Sequence, residues 1–218
     1  MGQATLGREG FHGGNASTAP LDFRFLRAYW ERLRCLSFGR ALVSLVPRKY
    51  DMYLYQGTRE TLAATPAPST SLSATIEHYG PGEYTGNPEI DDFLVGTREV
   101  YVAKVDGVVA HRCVLTFSLH RPQQFGFPEG PLSTLAFTRP EYRCRGLQSV
   151  TKRVLLEDVL KRGPFDHFYC EVMPDNVASM KGIAKGGLRR VARLQGIRFA
   201  GFILFRRVLP PTSISALV

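Results

Sequence analysis

Apolar residues recur along this chain at two spacings, and the change from one to the other marks out its elements. Between Leu21 and Leu36 the period is helical. Leu21, Phe25, Tyr29, Leu33 and Leu36 share one face, with Arg24, Arg27, Glu31 and Arg34 on the other. The pattern predicts an amphipathic helix within an N-terminal segment spanning 20–46. Its apolar stripe would pack on the domain, with the basic face solvated or laid against an anionic membrane surface. Residues 1–19, rich in Gly, Ser, Thr and Ala, are expected to be disordered. Asp51–Gln56 reads as a first strand, Ala63–Ser73 as a loop containing Pro66 and Pro68, Gly80–Pro88 as turns, and Ile90–Leu94 as a short helix.

From Val100 the period becomes two. Tyr101, Ala103 and Val105 alternate with Val102 and Lys104, Asp106-Gly107 supplies a tight turn, and Val108–Phe117 returns as the second arm of a hairpin. Beyond a loop with Pro122, Pro128 and Pro131, Leu132–Thr138 is a strand. Helical spacing resumes from Gly146 to Arg162, with Val150, Val154, Leu155 and Val159 as the apolar stripe and Gly163-Pro164 as the stop. Asp166–Met173 is a strand, and Asn176–Lys185 is a short helix ended by Gly186-Gly187. Arg189–Arg193 and Phe199–Val208 are β-rich. This order predicts one α/β domain over 20–208, built on a mixed sheet and followed by a frayed tail at 209–218.

Composition narrows the class. A chain of 218 residues with 44% hydrophobic and 22% charged residues suits one ordinary globular domain. A formal net charge of +9 favours a polyanionic partner, whether nucleic acid, an anionic membrane surface or a phosphate-rich cofactor. Cys35, Cys113, Cys144 and Cys170 form no C-x-x-C pair, which argues against a zinc site, and scattered thiols suit a reducing compartment. No apolar run approaches a membrane span, and Met1–Leu6 lacks the basic start and apolar stretch of a signal peptide. A cytoplasmic location without a metal is therefore expected.

The chemistry concentrates where the strand Leu132–Thr138 runs into the following helix. A helix N-terminus leaves backbone N–H groups unpaired and carries partial positive charge, so it attracts phosphate oxygens. Gly146 would let an anion approach the backbone, and Arg143, Arg145, Lys152 and Arg153 add charge nearby. Neither a P-loop nor a dinucleotide fingerprint is present.

The run Leu135-Ala136-Phe137-Thr138-Arg139-Pro140-Glu141-Tyr142-Arg143-Cys144-Arg145-Gly146-Leu147 resembles the central signature of the GNAT superfamily of acyl-CoA-dependent N-acyltransferases. Asn176-Val177-Ala178-Ser179, followed by Lys185-Gly186-Gly187-Leu188, is similar to the family's second motif. The resemblance covers Val100–Val208, about half of the chain. It implies a GNAT-like α/β fold, with a mixed, mostly antiparallel sheet flanked by helices. It also implies transfer of an acyl group, by default acetyl, from coenzyme A to a primary amine by direct attack. The backbone at Cys144, Arg145, Gly146, Leu147, Gln148 and Ser149, with Arg143, is then expected to hold the pyrophosphate. Leu135, Ala136 and Phe137 would pair with the pantetheine arm as another strand. Asn176 would hydrogen-bond that arm near the thioester, with Ser179 beside it. Without the resemblance, Asn176 reads as a helix cap.

Two positions depart from the family pattern. Gln148 stands where the family has Gly or Ala, and Ile183 stands where many members place a Tyr that protonates the departing thiolate. Candidate general bases are Glu171, at the end of a strand, and His111 on the hairpin. Cys144, near a helix N-terminus, would have a lowered pKa, but direct transfer needs no covalent nucleophile. The acceptor would be a small molecule, an amino sugar or a peptide, and the basic N-terminal helix hints at an acidic or envelope-associated one. Ile183 supports an alternative, a non-catalytic acyl-CoA-binding or regulatory module. The segment Lys185–Arg207 contains no Asp or Glu, yet no recognition motif supports nucleic-acid binding.

Overall fold

The computed structural model of the chain describes residues 46–117, 121–199 and 202–211. The terminus expected to be disordered (1–19), nearly all of the segment expected to carry the amphipathic helix (20–46) and most of the tail lie outside the described residues. Among the described residues, eight strands form a single sheet in the order β2-β3-β4-β5-β6-β1-β7-β8. Every neighbouring pair is antiparallel except β5 (Leu132–Thr138) with β6 (Phe168–Val172). The sheet is thus mixed and mostly antiparallel, flanked by helices.

The hairpin β3 (Arg98–Val105) and β4 (Val108–Thr116) closes on Asp106 and Gly107, both at positive φ, which suits the right-handed twist of its arms. β1 (Arg48–Gly57) is longer than Asp51–Gln56. It lies between β6 and β7 (Arg189–Phe199), so the first described strand closes the far half of the sheet. β7 runs on to Phe199, well beyond the Arg189–Arg193 stretch, and pairs with β8 (Phe202–Leu209). The sequence pattern does not predict β2 (Ala74–Tyr79), an edge strand whose alternation is masked by Thr75, Glu77 and His78. Nor does it predict two short helices, α1 (Arg59–Ala63), capped by Thr58, and α3 (Arg121–Gln124). The helix expected at Ile90–Leu94 is α2 (Pro88–Asp91), started by the Asn87 cap.

Two longer helices cover one face. α4 (Leu147–Arg162) and α5 (Val177–Lys185) bury Leu155, Leu156, Val159, Leu160 and Ile183 against Tyr101, Leu115, Phe168, Cys170 and Val172. The buried side of α4 differs from the stripe read in the sequence. Val150 and Val154 are only half-buried, whereas Leu147, Thr151, Lys152, Leu156 and Leu160 face inward. Val154 lines an open cleft of about 320 Å³ with Ile76, His78, Tyr101 and Asp158. On the opposite face, Tyr50, Leu54, Tyr169, Leu194 and Ile203 form a second core with Phe125 and Phe127. No helix among the described residues is long and apolar enough to cross a membrane.

Candidate functional site

The sheet opens along the parallel pair. β5 and β6 hold register at only two places, Leu132 with Tyr169 and Ser133 with Cys170, and no pairing continues beyond them. On its other side β5 carries a bulge. Arg112 faces Phe137 and Val114 faces Thr134, so Leu135 and Ala136 together oppose Cys113. Leu135 takes a φ of 50°, uncommon for a residue with a side chain. Bulges of this kind re-aim a strand and recur beside functional sites. From Leu135 to Phe137 the strand is exposed, and its edge toward β6 has no ladder partner.

The strand then passes through a 3-10 turn (Pro140–Tyr142) into α4. Arg139 grips Glu89 of α2 with two hydrogen bonds of 2.8 and 2.9 Å, and Arg143 donates back to the Thr138 carbonyl. Cys144 (φ 61°) and Gly146 (φ 84°) are both left-handed, and Gly146, as N-cap, offers no side-chain oxygen to the first turn. Those amides are therefore available to a ligand. Leu147 is buried and anchors the turn against Ala103, Val105 and Ala110.

Gly146 is required for a reason other than the one read from the sequence. A Cβ there would lie 2.5 Å from the Ser69 carbonyl oxygen, so the 64–73 loop, and not an anion, occupies that side. Thr70 completes the contact by donating to the Arg145 carbonyl at 2.7 Å.

The four basic residues expected near the turn divide two and two. Arg143 and Arg145 are exposed. Arg153 is consumed by Glu157 and the carbonyls of Leu62 and Thr65. Lys152 is fully buried and donates to Ser133 Oγ. Gln148 does not crowd the turn: its side chain crosses to α5, donates to Ser179 Oγ at 2.8 Å and lies against Gly182. Ser149 is buried against Gly186.

Asn176 caps α5 as the residue-level reading holds, its Oδ1 accepting the Ser179 N–H at 3.0 Å. The residue itself is exposed at the helix start. Ile183, at the position of the family Tyr, is fully buried in the core.

Glu171 is not a solvated strand-end carboxylate. It lies within β6 on the face opposite α4, with its side chain 2% exposed. Tyr50 donates to its Oε1 at 2.7 Å. The Arg121 guanidinium approaches Oε2 at 3.0 Å without hydrogen-bond alignment, so that oxygen is charge-paired yet has no directed donor. Burial first, and then the Glu171 charge, push the Tyr50 phenol far above its usual range, which keeps it a donor. Tyr50 and Arg121 carry no sequence signal of this role, because only the sheet order brings them to Glu171.

His111 fails as a base. It is buried, its Nδ1 lies 2.7 Å from Thr138 Oγ1, and desolvation lowers its pKa to about 3, helped by Lys152 and Arg112. Its Nε2 has no partner, nor has Thr151 Oγ1. Among the described residues no group of three or more His, Cys, Asp or Glu side chains could hold a metal.

No family model and no curated protein sequence matches the chain. Among solved structures it is similar to a protein assigned as a GNAT-family acetyltransferase from Novosphingobium aromaticivorans (21% identity, TM-score 0.47, covering 68% of this chain and 65% of that one). It is similar to a GNAT-family acetyltransferase from Colwellia psychrerythraea (14% identity, TM-score 0.47, covering 71% and 57%). A third is a tandem GNAT protein of the clavulanic acid biosynthesis pathway (14% identity, TM-score 0.49, covering 75% and 55%). The chain thus spans between 55% and 65% of the length of these neighbours.

Proposed function

We propose that the chain is an acyl-CoA-dependent N-acyltransferase acting on a primary amine of a small molecule, an amino sugar or a peptide. The observation that carries this reading is the seam itself: a bulged, exposed β5 edge released from β6 after Ser133, leading directly into an uncapped helix start. A free strand edge suits an extended amide-bearing chain such as pantetheine, and unpaired first-turn amides suit phosphate.

When bound, the thioester supplies an activated acyl carbon to the amine. The amides from Cys144 to Ser149, with Arg143 and Arg145, would hold the phosphates, and Leu135, Ala136 and Phe137 would hold the arm. The Asn176 amide donors, left over from capping, would reach the arm near its end. Glu171 would take the proton of the attacking amine on Oε2, the oxygen without a directed donor, while Tyr50 and Arg121 fix the carboxylate.

Binding of acetyl-CoA, followed as a rise in melting temperature, tests the site. Arg145→Glu is the better probe, because any side chain at Gly146 strikes Ser69 and damages the turn directly. Arg145→Glu should leave the unliganded protein equally stable and weaken binding by about tenfold or more. Undiminished affinity would place the cofactor elsewhere. The fully buried Ile183 favours a second reading, an acyl-CoA-binding module without turnover. Binding with no acylation across a panel of amines would select it.

A further inference from the structure

We propose that Lys152 is an electrostatic residue of the seam that stabilises the departing thiolate of the acyl donor, a role that rests on the acyltransferase reading above. Lys152 occupies the inward face of α4 and is fully excluded from solvent. Its Nζ donates to Ser133 Oγ, and the Cys170 thiol lies nearby. Ser133 and Cys170 are the register pair at which the β5–β6 ladder ends. The Lys152 Nζ therefore sits at the apex from which the two strands separate.

No carboxylate among the described residues pairs with it. Glu171, next after Cys170, turns to the other face and is taken by Tyr50 and Arg121. The titratable groups around Lys152 are His111 and Cys113 from β4 and Cys170 from β6. The C-cap of α5 contributes Gly186, which carries no charge. Gly186 packs closely on the base of the Lys152 side chain: a Cβ there would lie 2.8 Å from the lysine Cβ.

Held as an ammonium, Lys152 has no carboxylate to offset the burial of its charge, and an apolar residue of the same length would fit without that cost. What such a cation provides is a fixed positive potential at the apex, strong because the surroundings are poorly polarisable. In the proposed transfer the amine nitrogen bonds to the carbonyl carbon, the C–S bond breaks with its electron pair left on sulfur, and the amine proton passes to Glu171. Ile183 has no proton to give that sulfur. A nearby fixed charge stabilises the thiolate without one.

Ionisation of the thiol of bound coenzyme A, read from its ultraviolet thiolate absorbance across a pH series, tests this in the full chain. Bound to the wild-type chain, the thiol should ionise about one pH unit or more below the value of the free coenzyme titrated under the same conditions. In Lys152→Met it should return to that value or above. Ser133→Ala removes the acceptor and keeps the charge, so it should retain the low titration. Lys152→Met should also lower kcat about tenfold or more with KM for the acyl donor nearly unchanged, while its unliganded form melts no lower than wild type. A thiol that titrates alike in wild type and Lys152→Met overturns the inference, as does a Lys152→Met protein that melts many degrees lower. Failure of the wild-type chain to bind coenzyme A removes the site reading and this role together. A low titration without acylation of any amine keeps Lys152 in its role and overturns only the transferase reading.

Discussion

The β3–β4 hairpin and the β5–β6 seam lie side by side in one sheet and are built in opposite ways. The hairpin keeps eight register pairs, closes on a two-residue turn, and buries nearly every side chain of both arms. The seam keeps two pairs, and around its apex it gathers Lys152, Ser133, Cys170, Glu171 and a left-handed Leu135. The eight pairs of the hairpin, interrupted by one register shift after Ala103, hold that part of the sheet, so the seam can leave backbone groups unpaired without unfolding. Buried polar atoms without partners occur on the hairpin as well, at His111 Nε2 and Arg112 Nε, so what sets the seam apart is its open strand edge and not polar burial alone.

Substitutions at three positions probe this contrast. The largest effect is expected in the hairpin. Tyr101 is fully buried and its hydroxyl is bonded to Asp158 and Arg162. Tyr101→Ala should cost about 3–5 kcal/mol, read from denaturant unfolding, with acetyl-CoA affinity unchanged in the protein that remains folded. A loss of affinity at full stability would show that the hairpin reaches the site.

The second effect comes from His111, on the hairpin arm that pairs with β5. Its folded pKa near 3 lies below the ordinary value of 6.5, so the unfolded chain binds more protons between those values. Stability from this residue is therefore present above about pH 6.5 and is lost as pH falls toward 3, by an amount of order 3–4 kcal/mol. His111→Gln should flatten this stretch of the acid-unfolding curve. An unchanged curve would mean that other groups set the acid limit.

The smallest effect is a change of sign at Leu135. At an ordinary exposed strand position Val is favoured and Gly costs about 1 kcal/mol. With φ at 50°, the order should invert: Leu135→Gly within about 0.5 kcal/mol of wild type, Leu135→Val destabilised by about 1 kcal/mol or more. The ordinary order, measured by thermal unfolding, would show that the bulge relaxes in solution.

Much of the frame is legible in the amino-acid pattern. The strand Leu132–Thr138 and the C-terminal end of α4 fall where the pattern places them, because a period of two, a Gly-Pro stop and a glycine at the helix start are local signals. The Asp106-Gly107 turn is legible for the same reason: positive φ at both positions is a property of the dipeptide. Asn176 is legible as a cap, since the side chain and the amide it accepts are three residues apart. Lys152 is within reach too. It stands three and four residues before Leu155 and Leu156, and counting positions without regard to polarity turns it inward.

Other features have no local signature. β1 pairs with β6 and β7, more than a hundred residues away, and loop-closure entropy grows too slowly with length for spacing to reveal such a partner. That placement brings Tyr50 to Glu171 and turns what reads as a strand-end carboxylate into a buried ion pair. The approach of Ser69 to Gly146 likewise depends on where a distant loop settles. Local order alone dictates most of the strands and longer helices and the position of the uncapped turn, because each depends on neighbours within a few residues. Which charges are buried, which are paired and which face the seam emerges only on packing, because burial is a property of the assembled whole and each of those partners comes from another strand.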